Sequence, residues 1–290
     1  MSSYHYGNPE KANTWEYAAS IFAAHESVNS EKTSSLPLVQ FWKPNVRFSE
    51  NRDRCVDGFF KACKIEDIAF DSEQAEFSFE YPVPAQRGRG KASMTDLMIT
   101  TNKLAMAIEA KWTECRENYK PTIEKWLKEG KNLKNRESVL SGWLDYINKF
   151  LPGGKHLDIG KINCAKIPYQ FLHRVASACY VAALKKDVVP VVAYQLFYDD
   201  GNNGTENHMK KFSEELKEAY KELFDGDAPV RFNIIKVKTE IIDNDVIDTI
   251  RGSLSERRDA FNDIFMIMQE EDVYRFLSID SVFLTRNDNY

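Results

Sequence analysis

Two short apolar segments, residues 95–101 and 104–112, are separated by only two residues. The connection, Asn102-Lys103, has the length of a tight β-hairpin loop, and Asn tolerates the positive φ that such loops require. Side chains alternate between the two faces of a strand, so this turn fixes which residues of the two segments meet. The segments are therefore predicted to form an antiparallel hairpin with a single register.

The segments on either side of this hairpin predict a mixed sheet. Residues 75–81 alternate aromatic and polar side chains, which adds a third antiparallel strand and completes a meander. Residues 169–185 have helical periodicity, and residues 188–198 form the continuous apolar run typical of a strand buried on both faces. A helix in the connection between two strands indicates parallel pairing. The predicted fold class is α/β, with a central sheet that combines an antiparallel meander and a parallel strand, flanked by helices.

The remaining segments predict mainly helices around this core. Ser49 occupies an N-cap position before a first core helix at residues 50–64, and residues 1–47 are expected to form a helical N-terminal extension. Residues 48–290 are expected to form a single domain with a helical insertion at about residues 113–166. Three further elements are predicted toward the C-terminus: a helix at 206–224, a strand at 230–238 and a long helix at 245–269.

The composition favours a cytoplasmic protein without a membrane partner. No stretch reaches the roughly 18 apolar residues that a membrane helix requires, and the first residues lack the basic and apolar segments of a secretory signal. The five cysteines are scattered without a CxxC pair, which argues against a disulfide framework and a zinc site. The net charge of -5 neither indicates nor excludes nucleic acid, because the local field at a cleft matters more than the sum.

The hairpin carries three charged residues on one face. In the predicted register Asp96 lies directly opposite Glu109, and Lys111 follows Glu109 by two residues on the same strand. Opposed like charges destabilise a sheet, but a divalent cation between them removes the repulsion, and carboxylate oxygens suit Mg²⁺ or Mn²⁺. Asp96 and Glu109 are therefore predicted metal ligands, and Lys111 is predicted to position the attacking water. Removing either acid is expected to leave the metal-free protein at least as stable as the parent.

These residues resemble the PD-(D/E)xK nuclease superfamily, which includes many restriction and repair nucleases. The matching residues are Thr95-Asp96, with Thr where the nominal motif has Pro, and Glu109-Ala110-Lys111. The order of helix, meander, helix and buried strand also matches over roughly residues 48–200. The resemblance implies a restriction-endonuclease-like core, a further metal ligand in the Ala110 carbonyl, and Mg²⁺- or Mn²⁺-dependent hydrolysis of nucleic-acid phosphodiesters, most often DNA. Two other E-x-K triplets, at Glu129/Lys131 and Glu215/Lys217, lie in segments predicted to be helical or loop.

The resemblance implies one more acid in the site. Many members of the superfamily supply a catalytic and metal-binding acid from the first core helix, and Glu50 occupies that place here. Asp53 and Asp57 are rival candidates. The helix dipole also favours acids in a first helical turn, so a purely structural role for Glu50 stays open.

The helix at residues 169–185 resembles the Gln-containing helix that follows E-x-K in several branches of the superfamily. Gln170 is therefore expected among the catalytic residues, and Arg174, one helical turn later, is expected to bind a nucleic-acid phosphate. His173 is a candidate general base, with a packed or capping histidine as the alternative.

Two basic segments are candidates for the substrate track. Arg87, Arg89 and Lys91 lie in a loop that leads into the Asp96 strand, where they could contact the phosphate backbone. Several lysines lie between residues 120 and 136, a segment that also contains Trp126. They could form a second side of the substrate track. A solvated surface is the alternative for both segments.

Two other functions stay open on the sequence alone. The first is a catalytically silent nuclease-fold protein that binds nucleic acid or a protein partner, and the second is a metal-dependent hydrolase of another phosphate ester. The chain lacks a Walker-type phosphate loop, an H-x-E deaminase pattern and a G-x-S-x-G elbow. The sequence leaves open DNA versus RNA, endo versus exo action, and whether the chain forms a homodimer.

Overall fold

The computed structural model describes most of the chain. The described residues are 2–7, 13–25, 34–65, 67–68, 71–115, 121–199, 203–224, 230–242, 268 and 272–284. Their seven strands are β1 (Ser3–Tyr6), β2 (Glu76–Val83), β3 (Ser93–Thr100), β4 (Leu104–Lys111), β5 (Val189–Tyr198), β6 (Arg231–Ile241) and β7 (Tyr274–Leu284). The α-helices described are α1 (Trp15–His25), α2 (Ser35–Phe41), α3 (Cys55–Ala62), α4 (Ile123–Lys128), α5 (Leu133–Asn148), α6 (Tyr169–Ala182) and α7 (Asn203–Phe224).

The seven strands form one mixed sheet in which spatial order follows chain order. β2, β3 and β4 pair antiparallel, whereas β4, β5 and β6 pair parallel, with β1 parallel to β2 at one edge and β7 antiparallel to β6 at the other. The predicted α/β class, with a meander and a parallel strand after a crossover helix, is confirmed at this level.

The hairpin between β3 and β4 has the predicted register. Leu97 pairs with Ile108 and Thr100 with Ala105, as a two-residue turn at 102–103 requires. The Thr101 hydroxyl accepts hydrogen bonds from the backbone N–H groups of residues 103 and 104, at 3.1 and 2.9 Å, which ties the turn to the strand end. Local sequence is therefore sufficient to fix which face each hairpin side chain occupies.

Helices cover both faces of the sheet. One face packs against α1, α2 and α3 through an aromatic core that includes Phe41, Trp42, Phe59 and Phe77. The other face packs against the helices after β4, and α6 crosses β3, β4 and β5. Because β4 is central, alternate residues of this strand are buried on each face, and all eight of its residues are buried.

The first core helix starts later than the sequence predicts. The structure places α3 at Cys55–Ala62, whereas residues 49–51 form a turn. Arg52 has a φ of 65°, a left-handed conformation that an α-helix cannot continue through. Ser49 is therefore not the N-cap; that position belongs to Arg54, whose backbone is extended.

Two edge strands had no counterpart among the predicted elements. The segment expected as a helical extension, residues 1–47, contributes β1 to the sheet and buries Phe41 and Trp42 in the core. β7 pairs along almost the whole length of β6. The helix predicted at 245–269 lies outside the described residues except for Met268, which is helical. Across the described parts of the chain, none of the helices has the length and apolar character needed to cross a bilayer.

Candidate functional site

Strands β3 and β4 and helix α6 bring five predicted site residues together on the face covered by α6. These residues, called the Glu109 cluster below, are Asp96, Glu109, Lys111, Gln170 and Arg174. The hairpin register places the acids and Lys111 on this face, and the i, i+4 spacing of Gln170 and Arg174 directs both side chains from α6 toward them. The sequence predicted this meeting of strand and helix residues through the resemblance alone.

Glu109 is the centre of the cluster and is fully buried, with 0% of its side chain exposed. One carboxylate oxygen accepts hydrogen bonds from Lys111 Nζ and Gln170 Nε2. The other oxygen accepts from Arg174 Nη2. Three donors therefore hold this carboxylate in a single orientation, and two of them are cations.

Asp96 is the less buried of the two acids, with 23% of its side chain accessible. Its Oδ2 accepts a hydrogen bond of 2.8 Å from the Ala110 backbone N–H, and its Oδ1 lies 3.7 Å from Arg174 Nη2. Both carboxylates thus reach one guanidinium nitrogen, which places Asp96 beside Glu109. Burial and then the negative charge of Glu109 raise the pKa of Asp96 to about 6.

The sheet is irregular next to Asp96. Regular pairing of β3 with β4 begins at Leu97, and the Asp96 side chain bonds the Ala110 N–H beyond it. On the other neighbouring strand Glu80, between the paired residues Phe79 and Tyr81, has a φ of 48° in the left-handed region. Departures of this kind often mark functional sites. Here the regular strand pairing is interrupted around Asp96, which is the acid of the Glu109 cluster that is accessible to solvent.

Lys111 remains a cation despite its burial. Its side chain is 8% exposed, and Nζ also donates to the Ala110 carbonyl oxygen at 3.0 Å. Burial alone would lower the pKa of Lys111, but the negative charges of Glu109 and Asp96 outweigh it and raise the pKa above its ordinary value. The last residue of β4 therefore holds a fixed positive charge against Glu109.

Arg174, which is expected to bind a nucleic-acid phosphate, is buried in the structure. Its side chain is 1% exposed, and Nη2 donates to Glu109 and to the Met94 carbonyl oxygen at 3.0 Å. Among the described residues, Nε and Nη1 of Arg174 have no hydrogen-bond partner. Burial disfavours its charge, and Glu109 and Asp96 more than compensate, so the pKa of Arg174 is raised. The Glu109 cluster therefore balances two acids with two buried cations.

This charge balance changes the stability expected of variants. The sequence suggests that Asp96 and Glu109 repel each other in the metal-free protein, so that losing either would be neutral or stabilising. In the structure Glu109 neutralises two buried cations, and its loss would leave Lys111 and Arg174 with Asp96 as the nearest acid. Removing one partner of a buried ion pair is strongly destabilising. The two acids are therefore not equivalent.

The donor set of the cluster fits a small divalent cation. Asp96, Glu109 and the Ala110 carbonyl provide the hard oxygen atoms that Mg²⁺ or Mn²⁺ prefers. The Gln170 Oε1 atom is buried and accepts no hydrogen bond from any described residue, so the cluster holds an unmet acceptor. Within the described residues, no group of three or more His, Cys, Asp or Glu side chains is arranged to hold a metal. A cation here would depend on two carboxylates and backbone or amide oxygens.

The structure does not bring Glu50 to the Glu109 cluster. Glu50 is exposed in the turn before α3, and the preceding residue, Ser49, donates a 2.9 Å backbone hydrogen bond to Phe276 of β7. β7 lies four strand positions from β3, which corresponds to roughly 19 Å at a spacing of about 4.8 Å. The late start of α3 and its packing on the opposite face explain this correction. Of the rival acids, Asp57 pairs with Arg54 at 2.6 Å and Asp53 is exposed.

The loop that carries Arg87, Arg89 and Lys91 is docked on α5. Arg87 Nε lies 2.6 Å from Asp145 Oδ2, and the Asn135 side chain bonds both the N–H and the carbonyl of Arg89. Gly142 permits this approach, because a Cβ there would lie 2.7 Å from the Arg87 backbone nitrogen. Asp145 therefore offsets the charge of Arg87, whereas Arg89 and Lys91 are exposed and form no ion pair with any described residue. No local sequence pattern predicts this docking.

Aromatic residues beside the cluster are mutually packed. His173 Nδ1 is hydrogen-bonded to Ser93 Oγ at 2.8 Å, and its ring contacts Tyr169 and Trp143, which agrees with the alternative of a packed histidine. Trp126 stacks on Tyr169 at 3.8 Å, and the Arg136 guanidinium lies 4.7 Å from the Trp126 ring centre. These contacts pack helices α4 and α5 against α6.

A family model described as Domain of unknown function (DUF6946) matches residues 11–237, more than half of the chain. The chain belongs to the DUF6946 family. The region that matches DUF6946 runs from before α1 into β6 and contains all five residues of the Glu109 cluster. No curated protein and no solved structure matches the chain.

Proposed function

We propose that the chain is a divalent-metal-dependent nuclease that hydrolyses phosphodiester bonds of nucleic acid, with DNA as the first substrate to test. The observation that carries this proposal is the position of Asp96, Glu109 and Lys111 side by side, with Gln170 of the crossover helix bonded to Glu109. The order of α3, the β2–β4 meander, α6 and parallel β5 supports a restriction-endonuclease-like core of the PD-(D/E)xK type.

Each residue of the cluster has a separate role in this proposal. Asp96, Glu109 and the Ala110 carbonyl would hold Mg²⁺ or Mn²⁺, which when bound supplies activation of water and offsets charge on the phosphate. Asp96 faces solvent and so forms the side of the site that substrate reaches. Gln170 and the buried cations fix the orientation of Glu109. Lys111, held in its charged form, orients the nucleophile or offsets negative charge as it develops in the transition state.

A second candidate is a nuclease-fold protein that binds nucleic acid without cutting it. The observation that favours this alternative is the charge balance of the Glu109 cluster, because Lys111 and Arg174 already neutralise both acids. Such a cluster could persist as a structural element with no metal. Binding of metal or nucleic acid without cleavage would support the non-cutting protein over the metal-dependent nuclease.

A substrate panel tests the proposed function. Purified protein would be incubated with plasmid, linear duplex, single-stranded DNA and RNA, each with Mg²⁺, Mn²⁺ or EDTA. The proposal expects metal-dependent cleavage of at least one nucleic acid and none in EDTA. Tight binding of a substrate with no cleavage under any metal condition would favour the non-cutting alternative.

The docked basic loop gives a prediction about nucleic-acid binding. Changing Arg89 and Lys91 together to Gln is expected to weaken binding and to reduce the slope of log affinity against log salt by about 0.9 for each lost duplex phosphate contact. Arg87→Gln is the matched control and is expected to change the slope less, because Asp145 already offsets Arg87. Fluorescence anisotropy over a range of salt concentrations measures both. A slope unchanged in the double variant would assign the loop to ordinary solvated surface.

A further inference from the structure

We propose that Arg174 is a tethered cation that competes with the divalent metal for Glu109 and Asp96, and thereby sets the metal affinity of the site. This inference rests on the proposed metal site. It extends that proposal by assigning to α6 a regulatory residue, which acts through the two acids. The contacts of the guanidinium carry it.

Arg174 holds the position that a shared cation would take between the two acids. Its Nη2 atom bonds Glu109 and lies 3.7 Å from Asp96 Oδ1, so one nitrogen reaches both carboxylates. A metal ion that binds the same oxygens would meet a positive charge already present. Two cations that bind the same pair of acids weaken each other, because they repel and compete for the same oxygen atoms, and this coupling is reciprocal.

Some hydrogen-bond donors of the Arg174 guanidinium have no acceptor among the described residues. It carries five N–H donors, yet its Nε and Nη1 atoms are buried without a hydrogen-bond partner in the described structure. An arginine with all its donors paired would resist displacement more strongly. The unmet donors therefore lower the penalty for moving the Arg174 side chain away from the acids when a metal arrives.

Lys111 differs from Arg174 in this respect. Its ammonium bonds both Glu109 and the Ala110 carbonyl on its own strand, and it belongs to the E-x-K triplet. Arg174 instead reaches the acids from α6 and is anchored beside them through the Met94 carbonyl. Removing Arg174 would free carboxylate oxygen atoms of Asp96 and Glu109 for a metal ion. It would leave Asp96, Glu109 and Lys111 in place on the hairpin.

Calorimetric titration of the full chain with Mn²⁺ alone tests the proposal, so that metal affinity is read without any substrate. Arg174→Gln is expected to bind Mn²⁺ about tenfold or more tightly than the parent, within the range typical of coupling between two bound groups. Its melting temperature without metal should fall, and Mn²⁺ should raise it by more than in the parent. Arg231→Gln is the matched control and should leave Mn²⁺ affinity unchanged, since it removes another arginine from an acidic partner, Asp67, outside the cluster.

Arg174→Lys covers the case in which Arg174→Gln does not fold. The lysine keeps one charge but loses the broad reach of the guanidinium, so its Mn²⁺ affinity is expected to lie between those of the parent and Arg174→Gln. Unchanged or weaker Mn²⁺ binding in the folded variants would overturn the proposal, and with metal-dependent cleavage intact in the parent it would leave the proposed function standing. Absence of Mn²⁺ binding in the parent and in both variants would overturn both. Binding that appears only when Arg174 is changed would support the competition directly.

Discussion

Glu109→Gln is expected to lower the unfolding free energy of the metal-free protein by about 3–5 kcal/mol, whereas Asp96→Asn should change it by less than about 1 kcal/mol. Glu109 is fully buried and is the shared partner of two buried cations, so its neutralisation leaves Lys111 and Arg174 undercompensated. Asp96 is partly exposed, and its 3.7 Å contact with Arg174 is weak by comparison. Urea denaturation in EDTA measures both changes.

The control for this comparison is Glu129→Gln, which removes the acid of a second E-x-K triplet. Glu129 is 55% exposed and lies 3.8 Å from Lys125, so its loss should leave the unfolding free energy within about 0.5 kcal/mol of the parent. If Glu109→Gln were as stable as this control, the buried ion pairs would not hold the cluster together. Equal destabilisation by Glu109→Gln and Asp96→Asn would contradict the difference in burial.

Lys111→Met is expected to reduce metal-dependent cleavage by roughly a thousandfold while nucleic-acid binding persists. A preorganised charge in a buried site acts on the transition state, and its removal typically lowers the rate by about 10²–10³-fold. Met keeps most of the side-chain volume, and Arg174 continues to neutralise Glu109, so the fold should survive. Single-turnover cleavage at saturating enzyme measures the chemical step apart from binding.

Lys217→Met provides the matched control, because Lys217 belongs to another E-x-K triplet, pairs with Glu214 at 2.8 Å and lies outside the candidate substrate track. It should cleave at the parental rate. Parental cleavage by folded Lys111→Met would remove Lys111 from the site. A loss of nucleic-acid binding in parallel with cleavage would instead make Lys111 a substrate contact.

The hairpin could be predicted from sequence because all of its determinants are local. Alternation and the two-residue turn fix the register, so the common face of Glu109 and Lys111, and Asp96 opposite them, follow without any tertiary information. The crossover helix and its parallel strand were also predictable, because a continuous apolar run is the pattern of a strand buried on both faces. These elements position most of the Glu109 cluster.

Residues whose environment depends on distant packing could not be predicted in this way. Nothing local to Arg174 distinguishes an arginine on the exposed face of α6 from one on the buried face, since its partners lie 65 and 78 positions earlier in the chain. The turn before α3 is equally non-local, because Ser49 is bonded to Phe276 of β7, and the local pattern alone predicts a helix that begins at Glu50. The edge strand β1 has only four residues and carries too short a pattern to indicate a strand.

Cleavage by the parent and by Asp96→Asn, measured side by side in Mg²⁺ and after chelation, decides whether Asp96 belongs to a metal-dependent nuclease centre. Asp96 is the acid that solvent reaches and whose loss should spare the fold, so a change in activity cannot be attributed to unfolding. The proposed site predicts cleavage by the parent in Mg²⁺, none in EDTA, and none above background by folded Asp96→Asn under either condition. Cleavage by Asp96→Asn at the parental rate, or cleavage by the parent that chelation leaves unchanged, would contradict a metal-dependent nuclease centre at Asp96, Glu109 and Lys111.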